Sequence, residues 1–186
     1  MWYIFPRVAH TEPTKWRRVG NKRVTGLMIF TGTFELNVDP KNRLSIPSAV
    51  RAVMDPERDG SRLYLVPGER KGTLALYADR YFERYAEQYH SSLHATEEKD
   101  DFEQVFYSMA TLLEIDKQGR VVLPYRIMGL VGMGKKVTLA GQRDHLVLWD
   151  RDTFNEFLKG NWGRYPDLLK QARLKTELSK TNGSRS

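Results

Sequence analysis

The chain has 186 residues, 40% of them hydrophobic and 28% charged, which is enough to bury a real core and excludes disorder as the main state. It contains no cysteine, so a disulfide framework, a thiol nucleophile and a cysteine zinc site are excluded. The formal net charge is +7, but residues 1–28 carry six Lys and Arg against one acid and residues 160–186 carry six against two. The stretch between them is slightly acidic, so charge argues for a nucleic-acid partner only at the two ends. No apolar run approaches the roughly 18 residues of a membrane span, and the opening MWYIFPRVAH lacks the charged-then-apolar order of a signal peptide. A cytoplasmic protein with no membrane partner is expected.

In chain order, a basic extension over 1–28 comes first. Phe34, Leu36 and Val38 then alternate with Glu35 and Asn37, the period of a half-buried strand. Asp39-Pro40-Lys41-Asn42 fits a type I turn, with Asp39 to accept a backbone N–H, Pro40 pre-set at the second position and Asn42, which tolerates the left-handed region, at the fourth. A return strand puts Leu44 and Ile46 on one face and Arg43 and Ser45 on the other, and Pro47 stands where proline opens a helix at its first position. Beyond a loop around Asp55 to Gly60, residues 63–66 and 74–77 read as strands. Two further helices are predicted next. The first, over about 79–91, carries Tyr81, Phe82, Tyr85 and Tyr89 in an apolar pattern. The second, over about 97–112, carries Phe102, Val105, Phe106, Met109 and Leu112; such stripes belong to core or subunit contacts. The acids Glu97, Glu98, Asp100 and Asp101 suit the positive end of that helix. Asp116-Lys117-Gln118-Gly119 then repeats the turn, Pro124 repeats Pro47, residues 137–140 and 146–149 read as strands, and a basic tail follows from about 159.

These elements form an internal repeat. Asp39, Arg43 and Pro47 recur as Asp116, Arg120 and Pro124 at an offset of 77, and Leu74, Leu76, Tyr77 and Phe82 recur as Leu146, Leu148, Trp149 and Phe154 at an offset of 72. Two matched blocks in one order point to two copies of one unit, with a longer loop in the first.

Each turn places an arginine at the start of an outward-facing strand. A guanidinium there is a planar, always-charged fork that suits phosphate or the O6/N7 edge of guanine, and Lys41 and Lys117 add a second cation to each turn. Two such tips would match equivalent DNA surfaces one helical turn, about 34 Å, apart. The plainer reading of the same residues is an ion pair across each turn, Asp39 with Arg43 and Asp116 with Arg120.

Other patterns carry less. The run from Gly129 to Lys135 matches the spacing of a phosphate loop, but Lys136 replaces the Mg²⁺-binding Ser or Thr and a strand follows where that motif needs a helix. His90 and His94 are four apart with no Glu as general base and no third ligand. No nucleophile elbow or acid–base triad is present. A non-enzymatic protein with no cofactor, no metal and no small-molecule substrate is expected.

The doubled Asp-x-x-(Gly/Asn)-Arg…Pro pattern, preceded by Phe30-Thr31-Gly32, closely resembles the MraZ family over roughly residues 28–158. The resemblance implies an α+β fold: a tandem pseudo-repeat of AbrB-like (SpoVT-AbrB, swapped-hairpin type) β units with intervening helices. The division expected is a basic N-terminal extension at 1–28, a first unit at 29–82, a helical connector at 83–112, a second unit at 113–158 and a basic C-terminal tail at 159–186. It further implies a nucleoid-associated regulator that binds double-stranded DNA at repeated promoter elements of the division and cell-wall gene cluster. Protomers would assemble into a ring-shaped homo-oligomer. Arg43 and Arg120 would contact DNA with Lys41, Lys117 and Arg51 in support, while Asp39, Asn42, Asp116 and Gly119 shape the turns. An antitoxin-like protein-interaction role is the alternative for such a fold. The sequence departs from the family pattern at four places. Asn42 replaces a turn glycine, Met128 stands where a second Arg51 is expected, family members usually begin near Met28, and the tail is longer than the pattern requires.

Overall fold

The structure, a computed structural model, describes residues 28–92 and 96–183. The alternating run of the first unit forms β1 (Thr33–Asn37), and the return run forms β2 (Arg43–Ser45). A short helix α1 (Ser48–Val53) follows, then α2 (Pro56–Asp59), β3 (Arg62–Pro67) and β4 (Leu74–Ala78). Helices α3 (Asp79–Ser92) and α4 (Glu97–Met109) connect to β5 (Thr111–Glu114), β6 (Arg120–Val122), α5 (Tyr125–Leu130), β7 (Lys136–Gln142) and β8 (His145–Asp150). Two further helices, α6 (Arg151–Trp162) and α7 (Tyr165–Gly183), end the described chain. The fold is α+β with antiparallel pairing throughout.

Six strands form one sheet in the order β1-β7-β8-β4-β3-β5, and β2 pairs with β6 in a separate two-stranded sheet. The six-strand order is palindromic once β1, β3 and β4 are exchanged with β5, β7 and β8. The register follows suit. Leu74 faces Leu148 and Leu76 faces Leu146 about an Ala75–Val147 pair, while Arg43 faces Val122 and Ser45 faces Arg120 about a Leu44–Val121 pair. Leu44 and Val121 have no exposed surface, as do Leu63, Leu65, Leu74, Leu76, Leu139, Leu146 and Leu148, and these side chains belong to one core with Ile46 and Leu123. Each half's outer strand pairs with a hairpin of the other half in one sheet, so strands of both halves share that core and neither half closes its apolar face alone.

The return strand was expected to complete a hairpin on β1. Instead β1 pairs with β7, and β2 is held to β1 only through the turn, by the Asp39 N–H donating to the Arg43 carbonyl at 3.0 Å. Pairing β2 with β6 buries Leu44 against Val121, which a local hairpin on the edge strand would leave less covered. Pro47 and Pro124 sit one residue before their helices. Each has extended backbone and accepts the first helical bonds on its carbonyl, as from Arg51 N at 3.0 Å and Met128 N at 3.2 Å. The helix predicted to reach 112 ends at Met109, because residues 111–114 pair with the outer edge of β3.

Thr96 caps α4, its hydroxyl accepting from Lys99 N at 3.3 Å, with Glu97, Glu98 and Asp100 in the first turn. The aromatic stripes pack onto the sheet: Phe82 stacks on Tyr64 at 4.2 Å and Phe106 lies 6.2 Å from Phe82. Tyr89 and His90 side chains and all of His94 lie outside the described residues, as does the extension 1–27. The basic tail, for which no element was predicted, runs through the end of α6 and along α7, with Trp162, Tyr165, Leu169 and Leu174 exposed.

Candidate nucleic-acid interface

The two turns are built alike. In the first, Asn42 N donates to the Asp39 carbonyl at 2.9 Å, while the Asp39 carboxylate accepts from Lys41 N at 2.8 Å, Arg43 N at 2.9 Å and the Arg43 Nε at 2.6 Å. In the second, Gly119 N donates to the Asp116 carbonyl at 2.8 Å. The Asp116 carboxylate accepts from Gln118 N at 2.8 Å, Arg120 N at 2.9 Å, and the Arg120 Nε and Nη2 at 3.0 and 2.7 Å. A short acid at the first turn position is what lets one carboxylate reach two backbone N–H groups and the arginine that follows. These donors hold both carboxyls below the usual Asp range: for Asp39 the backbone N–H of Arg43 dominates, for Asp116 the Arg120 side chain. The fourth turn residue has positive φ in both, +58° at Asn42 and +77° at Gly119, a conformation that Asn tolerates and glycine adopts freely.

The ion pair across each turn is therefore formed, and it orients the arginine rather than consuming it. Both Nη groups of Arg43 and the Nη1 of Arg120 have no hydrogen-bond partner among the described residues. The pairing register places Arg43, Ser45, Arg120 and Val122 on the outward face of the β2–β6 ribbon, opposite the buried Leu44 and Val121. Arg43 and Arg120 stand as diagonal neighbours, about 7–8 Å apart for such positions. The spacing of one DNA turn is therefore not found between the two tips of one protomer. The ladder continues into the turns, with Ile46 N on the Gly119 carbonyl and Leu123 N on the Asn42 carbonyl, each at 2.8 Å. One turn thus lies at each end of the ribbon.

Lys41 and Lys117 are exposed at opposite ends. Arg51, on α1, donates from Nε to the Ile46 carbonyl at 3.1 Å. Its guanidinium lies on the second turn, not the first, since a Cβ added to Gly119 would meet Arg51 Nε at 2.7 Å and Cζ at 2.8 Å. Met128, at the equivalent place on α5, is buried. The structure adds one cation that sequence reading missed: the Nζ of exposed Lys135 donates to the Asn42 Oδ1 at the first turn. This is the lysine of the phosphate-loop spacing, whose flanking segment forms α5 and then β7, not a loop followed by a helix. Its link to the turn spans 93 residues, so no local signal marks it.

Among the described residues, no group of three or more His, Asp or Glu is placed to hold a metal ion, and no described helix is long and apolar enough to cross a membrane.

A family model described as "MraZ protein, putative antitoxin-like" matches residues 106–162. The protein named transcriptional regulator MraZ of Mycoplasmopsis pulmonis is 32% identical over 130 residues, covering 70% of this chain and 84% of that protein. Its counterpart in Thioalkalivibrio sulfidiphilus is 31% identical over 126 residues, covering 68% and 83%, and the one in Mycoplasmoides gallisepticum is 28% identical over 140 residues, covering 75% and 94%. With relatives of that identity matched along most of their length, and with paired Asp-anchored arginine turns in a doubled chain, this protein belongs to the MraZ family of transcriptional regulators, which are not enzymes.

Proposed function

We propose that the chain is a sequence-specific DNA-binding regulator, acting as a ring-shaped homo-oligomer on repeated promoter elements that control the division and cell-wall gene cluster. It works in the cytoplasm and on the nucleoid. The observation that carries this reading is the β2–β6 ribbon, on which Arg43 and Arg120 share one outward face with their turns locked by Asp39 and Asp116. Ile46, the partner of Gly119, lies four positions beyond Asn42, so the turns lie about 14 Å apart at ~3.4 Å per residue. A two-stranded ribbon of that length fits across a major groove about 12 Å wide. Arg43 and Arg120 then face base edges, and Lys41, Lys117 and Arg51 at the ends meet phosphates on either wall.

In this reading the chain is a tandem of AbrB-like swapped-hairpin units at 29–82 and 113–158, joined by the connector 83–112. The basic segments 1–28 and 159–186 add sequence-independent attraction. A single unit, nearly neutral as a whole, binds weakly. Several on one ring, spaced to successive helical turns of about 34 Å, raise the effective concentration of each. The exposed Val105, Tyr107 and Trp162 supply apolar surface for contacts between copies.

The test is fluorescence anisotropy on a duplex from upstream of the protein's own gene and on a scrambled duplex. Arg43→Ala and Arg120→Ala are each expected to abolish the preference while circular dichroism and solution mass stay unchanged. Retained preference in both variants would refute the site. The family description as antitoxin-like favours one second reading, in which the same turns engage a protein partner. A binding constant that does not fall with salt would support it.

A further inference from the structure

We infer that Lys135 is a phosphate-contacting residue at the first turn, where it replaces an arginine that only the other half of the molecule carries. The inference rests on the DNA-binding reading above and concerns how the two ends of the ribbon differ.

The two turns share their Asp and Arg but not their surroundings. At the second turn the accessory cation is Arg51, delivered by α1 of the first half and packed against Gly119. The offset of 77 that relates α1 to α5 puts Met128 in the matching place at the first turn, and Met128 is buried and uncharged. Beyond its own Lys41, that end would receive no cation from the opposite half, but Lys135 supplies one by a different route. Its backbone carbonyl accepts from Val38 N at 2.8 Å, which fixes it beside the strand entering the turn, and its ammonium reaches the Asn42 side chain. The sheet register identifies its counterpart in the other half. Asn37 pairs with Lys136 as Glu114 pairs with Arg62, so Ser61 matches Lys135 and brings no charge to the second turn. Each end therefore receives one cation from the opposite half, an arginine at one and a lysine at the other.

The departure at Asn42 follows from the same exchange. A Cβ at Gly119 would have to displace the Arg51 guanidinium that lies on it. With Met128 in place of a second arginine, that constraint is absent at the first turn, and an asparagine there offers an oxygen that orients Lys135. The chemistry of the two ends then differs. An ammonium is a compact point charge that meets a phosphate without regard to the base beside it, whereas a guanidinium is a planar fork able to pair bidentately.

The experiment titrates the full chain with the upstream and scrambled duplexes between 50 and 200 mM salt. Lys135→Ala is expected to weaken binding to both duplexes by the same factor, leaving their ratio unchanged. It should also make the slope of log K against log salt shallower by about 0.9, one phosphate contact, which reduces the loss across that salt range by ~3.5-fold. An unchanged slope would overturn the inference, as would a selective loss on the upstream duplex. A merely structural role, in which Lys135 props Asn42, is read by repeating the substitution in an Asn42→Gly background. A direct contact keeps the full slope change there, and disappearance of the change would refute it. If Arg43→Ala is selective while Lys135→Ala is silent, only this inference fails. If the unaltered protein shows no salt-dependent binding, the DNA-binding reading fails with it.

Discussion

The packing of Arg51 on Gly119 sets up a quantitative test of how the halves interlock. Gly119→Ala places a methyl group 2.7–3.0 Å from the Arg51 guanidinium on a backbone with φ of +77°. Left-handed backbone costs an L-residue about 1–2 kcal/mol. The displaced guanidinium also gives up its bond to the Ile46 carbonyl, which contributes about 1 kcal/mol for an exposed donor. The single variant should therefore lose about 2–3 kcal/mol in urea unfolding followed by far-ultraviolet circular dichroism. Made on top of Arg51→Ala, the same substitution should cost only the backbone part, so the double-mutant cycle returns a coupling of about 1 kcal/mol. An identical cost with and without Arg51 would show that the guanidinium does not rest on the second turn. The assignment of Arg51 to that end of the ribbon would then be wrong.

Leu44→Ala, at the centre of the β2–β6 ribbon and without exposed surface, should destabilise by about 2–5 kcal/mol, whereas Ser45→Ala on the outward face should change urea stability by less than about 0.5 kcal/mol. Equal effects would contradict the register. The turns also carry an acid signature. Both turn carboxyls titrate below the ordinary Asp value of about 3.9 in the folded chain, so the stability they contribute is fully present above that value and is lost as pH falls through the lower folded value. Carboxyl resonances of Asp39 and Asp116 should stay ionised between pH 8 and 5, and Asp39→Asn should flatten the acid limb of the stability profile. A folded titration at or above the ordinary value would refute the locked turn.

Local chemistry made the turns legible. Asp at the first position, a residue tolerant of positive φ at the fourth and an arginine next are each required by bonds within five residues. Alternation likewise marked β1, and apolar runs marked β3, β4, β7 and β8, because burial imposes a period on the chain. Partner choice was not legible. Leu44 meets Val121 of β6, 77 residues away, and the outer edge of β1 is left without a strand, a choice that no local pattern encodes. The same holds for the end of α4. Leu112 satisfies a helical period as well as a strand period, and only the free edge of β3 selects the strand. Helix α7 escaped notice because its exposed apolar residues, including Leu169 and Leu174, make no clean core-facing stripe. Lys135 escaped because its contact is with one atom on a distant turn.

An internal sequence repeat within one chain changes what can diverge. In a symmetric dimer of separate units every substitution appears twice, so the ribbon would read the same from either end. Here the residues that hold the arginines are the same in both halves: Asp39 and Asp116, Arg43 and Arg120, Pro47 and Pro124. Those that flank them differ: Asn42 against Gly119, Arg51 against Met128, Ser61 against Lys135, Ser45 against Val122. The ribbon therefore has a polarity. Under the DNA-binding reading a polar ribbon occupies an asymmetric element in one orientation. In the ring proposed above, successive protomers related by rotation and facing the same way would match elements repeated head to tail, where two-fold symmetric proteins require palindromes. Inverting one element of a tandem pair should abolish the gain from linking two sites while leaving each site's own affinity intact.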